Sequence, residues 1–174
     1  MSSTFVDPST EHPAAVLRVS ELDIEALKEL INPWGLELVV AEFEQIPGSY
    51  WGEDEAGLVG NRLYATDSTP VHSALHEACH YICMEATRRD TLNTNAGGDY
   101  DEENGVCYLQ ILLSDLLPGM GRTRMLADMD AWGYTFRLGS ARAWFENDAE
   151  DARQWLLDQG LIGAQNEPLY RLRD

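Results

Sequence analysis

The chain has 174 residues, enough for one domain with an apolar core, and 44% of them are hydrophobic. Its 30 acidic residues against 12 basic ones give a net charge of −18, so a polyanionic nucleic acid would be repelled. No apolar run approaches the length of a membrane span. The composition therefore predicts a soluble globular protein with neither nucleic acid nor membrane as a partner.

The N-terminal residues and the cysteines predict a cytoplasmic location. The start, Met1-Ser2-Ser3-Thr4, has neither the basic residues nor the apolar stretch of a signal peptide. The three cysteines, Cys79, Cys83 and Cys107, are an odd number. We therefore expect buried, reduced thiols rather than disulfides.

The first third of the chain predicts a helix and a small sheet. Residues 1–19 are weakly patterned and are expected to form a loose N-terminal arm. Ser20 is a suitable N-cap for a helix over residues 21–31. Extended segments, rich in β-forming residues, are predicted at 36–43, 50–51 and 62–66, with an acidic loop over 53–60 before the last of them.

Helices are predicted to dominate the remainder. Thr69 is a good N-cap and Pro70 suits the first position of a long helix that meets no breaker until past Arg89. A loop over 92–98 leads to a second long helix, capped by Asp99 or Asp101. The later helices are expected at 102–117, 122–132, 140–145 and 149–159. Together these segments predict a single α+β domain over residues 1–174.

The most informative motif, His-Glu-x-x-His, lies in the first long helix. His76 and His80 are four residues apart, so both imidazoles lie on one helix face and can bind one metal ion. Glu77 can then reach a metal-bound water as a general base. The motif predicts a metal site with Glu77 as the catalytic residue. The alternative is a chance match in an ordinary amphipathic helix.

A catalytic metal usually has a third protein ligand. The extended metzincin motif is excluded because other residues stand at its Gly and His positions. A glutamate from the second long helix is the other common solution. Glu102 shares helical register with the apolar Val106 and Leu109, which should face the core, so we prefer Glu102 to Glu103. Attraction of acidic residues to a helix N-terminus would also explain both glutamates.

Two other residues near the motif are candidate ligands. His72 precedes His76 by one turn, and Cys83 follows His80 near the same face. Several ligands from one straight helix converge poorly on a single ion, which disfavours both. For His72 we expect hydrogen bonding around the ligands instead.

Motifs between residues 50 and 89 follow one another in a characteristic order: Asn61–Leu63, Ser73–Glu77, His80–Tyr81 and Arg88–Arg89. This pattern resembles the family of elongation factor P hydroxylases, small bacterial proteins that modify a lysine-derived side chain of that translation factor. The resemblance implies oxygenase chemistry on a protein substrate. It fades after Arg89.

The second long helix is similar to a different family. Zinc peptidases of the phage-repressor-cleaving type carry their third ligand on a helix where a Glu is followed by Ala, Phe and paired leucines. The corresponding residues here are Glu102, Tyr108, Leu112 and Leu113. This resemblance implies peptidase chemistry. Because the strand signals all precede Thr69 and the helical ones dominate after it, we expect a zincin-like α+β fold in which the sheet packs beside the metal helix.

Two histidines and one carboxylate suit both chemistries, because they bind hydrolytic Zn²⁺ and also form the facial triad of Fe²⁺ oxygenases. We therefore expect one divalent ion, Fe²⁺ or Zn²⁺, at His76, His80 and Glu102. The first hypothesis is a hydroxylase-like enzyme acting on a protein, with a translation factor as the implied substrate. The alternative is a zinc metallopeptidase or related hydrolase that uses Glu77 as its base. A third hypothesis is a non-catalytic, zincin-like binding module.

Overall fold

The computed structural model describes residues 16–49, 54–91 and 98–174. These contain seven α-helices and one three-stranded sheet, which confirms the mixed α+β class. The strands are β1 (Glu37–Val40), β2 (Gly57–Val59) and β3 (Arg62–Ala65); the helices are α1 (Ile24–Ile31), α2 (Val71–Cys83), α3 (Ala86–Asp90), α4 (Tyr100–Ser114), α5 (Arg122–Trp132), α6 (Ala141–Asn147) and α7 (Glu150–Asp158). Within these ranges no helix has the length and apolar character needed to cross a membrane.

Several sequence predictions fall outside the described residues. They concern most of the N-terminal arm (1–15), the extended segment at 50–51 and most of the loop preceding α4 (92–97).

The sheet has β3 in its centre, parallel to β1 and antiparallel to β2. Strand β2 lies where the sequence predicted only an acidic loop. It is three residues long and contains Gly57, which disfavours a strand on propensity alone. A Cβ at Gly57 would lie 1.9 Å from the carbonyl oxygen of Pro47, so the glycine permits a close backbone approach at this position.

Residues 16–19 are packed and do not belong to a loose arm. The amide of Val19 donates to the carbonyl of Thr69, and the carbonyl of Leu17 accepts from the amide of Val71. The amide of Leu17 also donates to the buried carboxylate of Asp128 at 2.9 Å. Helix α1 then begins later than predicted, with Asp23 rather than Ser20 as its side-chain cap.

Helix α2 is largely buried between the sheet and α4. It starts at Val71 rather than at Pro70, and Thr69 accepts a hydrogen bond from the amide of Thr66 instead of capping the helix. The predicted continuous helix past Arg89 is two helices, because the chain turns extended at Met84 between α2 and α3.

Helix α4 begins as predicted, with Asp99 capping the amide of Glu102 at 2.9 Å. From Gly105 to Ser114 it is buried on all sides, against α2, α5 and α7. Gly105 lies against the ring of Trp155 on α7, where a Cβ would come within 2.5 Å of the ring. The glycine therefore lets α7 pack directly on the α4 backbone.

A buried ion cluster joins α3, α4 and the C-terminal segment. Glu102 is 1% exposed and accepts from both terminal nitrogens of Arg88, at 2.8 and 2.7 Å. Arg173 donates to the same carboxylate at 2.9 Å and to the carbonyl of Cys83 at the end of α2. The Glu102 carboxylate thus joins three segments of the chain, and Arg173 links them to the end of α2.

Removal of the Glu102 carboxylate should destabilise the fold. Removing one partner of a buried ion pair leaves the charge of the other partner uncompensated, which typically costs about 3 to 5 kcal/mol. Because the Arg88 side chain is 34% exposed, we expect Glu102→Ala to lower the free energy of unfolding by the lower figure, ~3 kcal/mol. Urea denaturation followed by circular dichroism measures it. Asp101→Asn, an exposed change in the same turn, should stay within about 0.5 kcal/mol of the wild type; equal stability of both variants would contradict the role of the cluster.

Candidate metal centre

Two histidines of α2 and one glutamate of α4 bring their donor atoms to one point. The Nε2 atoms of His76 and His80 are 3.1 Å apart. Glu103 places Oε1 at 3.1 Å from the His76 Nε2 and Oε2 at 3.1 Å from the His80 Nε2. Three donors from three residues, all within 4.8 Å of one another, can hold a metal ion.

The charges of this group favour a cation. Burial alone would raise the pKa of Glu103, but its hydrogen bonds with His76 and His80 hold it well below the usual range. Burial would also lower the pKa of His76, yet Tyr134, Cys107 and Glu103 raise it well above its ordinary value. The Glu103 carboxylate therefore favours a positive charge beside the two imidazoles, at the place where a metal ion would bind.

The structure brings the Glu103 carboxylate to the two histidines and not the Glu102 carboxylate, contrary to the preference drawn from the sequence. The Glu102 side chain points to Arg88 and Arg173 in the buried ion cluster. The apolar register of Glu102 was misleading because the body of α4 is buried on all sides, so its apolar stripe does not identify the face toward α2.

Glu77 lies beside the donor group, as the motif predicts. Burial raises the pKa of its carboxyl, while the neighbouring His80 and His76 act in the opposite direction. Glu55 is a second carboxylate close enough to raise it further, and it accepts a hydrogen bond from the Trp132 indole at 3.3 Å. The site therefore contains a desolvated carboxyl with increased proton affinity next to the donor atoms.

Gln110 is a residue of this site that the sequence reasoning missed. It is fully buried on α4, and its Oε1 lies 2.8 Å from the Nδ1 of His76. A signal was present in the sequence, since Glu103, Cys107 and Gln110 recur at helical spacing along a stretch that is otherwise mostly apolar. A line of polar side chains on a buried helix requires partners, and here α2 supplies them.

His72 and Cys83 do not join the donor group in the described part of the chain. The Nδ1 of His72 lies 3.1 Å from the hydroxyl of Tyr134, and burial lowers the pKa of His72 to about 3. Burial raises the pKa of the Cys83 thiol, which disfavours the thiolate that a metal would need. Tyr134 in turn packs edge-on against the His76 ring, with ring centroids 5.6 Å apart. His72 therefore contacts Tyr134, which packs against His76, and does not itself reach the donor atoms.

Comparisons of this chain with protein-family models, with curated proteins and with solved structures give no match. The two family resemblances carried by the motifs therefore remain hypotheses. The chemistry of the site has to be derived from its own side chains.

Removal of the Glu103 carboxylate should release the metal. Glu103→Gln deletes the one anionic donor, so we expect affinity to fall by more than the about 10- to 100-fold typical of a residue outside the ligand set. Titration with zinc against a competing chelator gives the affinity, and Asp101→Asn is the exposed control in the same turn. Equal affinities of these two variants would remove Glu103 from the site.

Metal binding should also release a proton. Since the pKa of His76 lies well above its ordinary value, this imidazole holds a proton to higher pH than a free histidine, and an ion must displace that proton. The apparent affinity should therefore rise with pH, by up to about tenfold per unit for each proton released, until His76 is neutral. Calorimetry in buffers of different ionisation enthalpy counts the protons. A pH-independent affinity with no proton release would contradict this account.

Proposed function

We propose that this protein is a mononuclear metal-dependent hydrolase of the zinc peptidase type. In this proposal His76, His80 and Glu103 hold the ion, and Glu77 is the general base. The observation that carries it is the desolvated carboxyl of Glu77 beside the three donors. Hydrolysis requires a base at this position, whereas oxygenase chemistry at a facial triad does not.

The donor set fits the ion that this chemistry uses. Two imidazole nitrogens and a carboxylate are ligands of catalytic zinc, with a further position left for water. When bound, zinc lowers the pKa of a water molecule and polarises a carbonyl group.

Burial raises the proton affinity of the Glu77 carboxylate, which is the direction that a general base requires. Its pKa is raised by burial, so it is a stronger base than an exposed glutamate and better matched to proton transfer near neutral pH. It takes a proton from the attacking water and can pass it to the leaving amine. Glu103, whose pKa is held low, stays ionised and offers its oxygens as ligands.

A peptide amide is the substrate class that we favour, because α4 resembles the third-ligand helix of zinc peptidases. That resemblance matches the ligand glutamate of the peptidases with Glu102. The donor group of this structure contains Glu103 instead, one residue further along the helix. The support for a peptidase therefore comes mainly from Glu77 and the donor set.

An Fe²⁺-dependent protein hydroxylase is the second candidate. The motifs from Asn61 to Arg89, with their resemblance to elongation factor P hydroxylases, favour it, and the same three donors suit iron. The sequence alone ranked this function first. We rank it second because it leaves the half-buried Glu77 carboxyl without a proton to accept.

Glu77→Gln tests the proposal. The amide keeps the shape and cannot take a proton, so a hydrolase should retain its metal and lose about 10²- to 10⁴-fold in rate. The assay measures cleavage of an unstructured peptide pool by mass spectrometry under anaerobic conditions. Elemental analysis of both proteins gives the metal content, and Glu103→Gln is the metal-free comparison.

Each other result favours a different function. Iron in the purified protein, an O₂-dependent mass gain of a protein substrate and only a 10- to 100-fold loss in Glu77→Gln would favour the hydroxylase. Bound zinc without cleavage of any peptide in the pool would favour a non-catalytic binding module.

A further inference from the structure

We infer that Gln110 is a positioning residue that fixes the His76 imidazole in the tautomer with its Nε2 lone pair directed at the metal. The inference rests on the metal centre of the proposed function but is independent of the reaction performed there. Gln110 is fully buried and lies seven residues after Glu103 on α4, so both side chains project from the same helix face.

The orientation of the Gln110 amide is determined by a backbone carbonyl. Its Nε2 lies 2.9 Å from the main-chain oxygen of His72. A carbonyl oxygen can only accept, so the amide NH₂ must face it. The Sδ of Met125, a weak acceptor, also lies 3.5 Å from this nitrogen. A flipped amide would set two acceptors against each other at 2.9 Å.

The remaining atom of the amide then determines the tautomer of His76. With the nitrogen assigned to His72, the Gln110 oxygen is the atom 2.8 Å from the His76 Nδ1. This oxygen only accepts, so Nδ1 must carry a hydrogen. A neutral imidazole has one N–H, which leaves the lone pair on Nε2. That nitrogen is the one 3.1 Å from the Glu103 carboxylate, in the donor group.

The two histidine ligands are supported unequally. The Nδ1 of His80 is buried and has no hydrogen-bond partner among the described residues. The Gln110 oxygen, in contrast, bonds to the Nδ1 of His76 at 2.8 Å. A hydrogen bond to the distal nitrogen of a ligating histidine fixes the ring and raises its basicity. Gln110 therefore orients one of the two imidazoles before the ion arrives.

Three variants test this role. Gln110→Leu removes the acceptor, and we expect a 10- to 100-fold loss of zinc affinity. Gln110→Glu keeps an acceptor opposite His76 and, as the protonated acid, a donor toward the His72 carbonyl, so it should stay within about threefold of the wild type. Ser114→Ala is the matched control, because Ser114 is equally buried one turn along α4 and its hydroxyl donates to the carbonyl of Ile111, away from the donor group. Equal loss in Gln110→Leu and Gln110→Glu, or no loss in Gln110→Leu, would overturn the inference.

The tautomer itself can be read by ¹⁵N NMR of the histidine rings. In the zinc-loaded wild type we expect metal on the His76 Nε2 and a slowly exchanging hydrogen on Nδ1. Gln110→Leu should lose the slow exchange, whereas Gln110→Glu should keep it. Metal on the Nδ1 of His76 in the wild type would overturn the inference even if Gln110→Leu did not fold.

The same measurement separates this inference from the proposed function. If the wild type binds no zinc, the metal-dependent hydrolase fails. The tautomer is then read in the metal-free wild type, at a pH where His76 is neutral. A hydrogen on Nδ1 would support the positioning by Gln110, and a hydrogen on Nε2 would overturn it.

Discussion

The rotation of α4 about its own axis determines which side chain meets the two histidines, and the buried Glu102 carboxylate fixes that rotation. Two arginines from separate segments, Arg88 and Arg173, bind this carboxylate. Consecutive helical residues differ by about 100° in direction, so anchoring Glu102 on one side turns Glu103 toward α2. The same rotation brings Gln110, two turns further, to the distal nitrogen of His76. The positions of Glu103 and Gln110 thus both depend on one ion cluster outside the site.

The pKa values of the site follow from the burial of titratable side chains between α2 and α4. A carboxylate and an imidazole brought together at 3.1 Å share a proton in the absence of a stronger cation. Glu77 has a different environment, because desolvation raises its pKa while Glu103 stays ionised. Two carboxyl groups of one site, Glu77 on α2 and Glu103 on α4, thereby acquire opposite properties, one suited to moving a proton and one to binding an ion.

The features that the sequence predicted well are those that depend on local spacing. The pairing of His76 with His80 needs only helical periodicity, and Asp99 caps its own helix. The choice of Glu103 could not be predicted in this way, since it depends on Arg173, far away in the chain. Strand β2 was missed because three residues including a glycine carry no pattern. The break at Met84 was missed because neither glycine nor proline marks it.

The contact between Gly105 and Trp155 determines how far the chain can be shortened before the packing of α4 is lost. A glycine inside a helix costs about 1 kcal/mol relative to alanine, and here the vacated space is filled by the indole of α7. A fragment ending before α7 would contain all three donor residues. It would still expose the back of α4 and lose the Arg173 anchor. The smallest unit that keeps the donor group in place therefore extends well beyond its three residues, into the last helix and the segment after it.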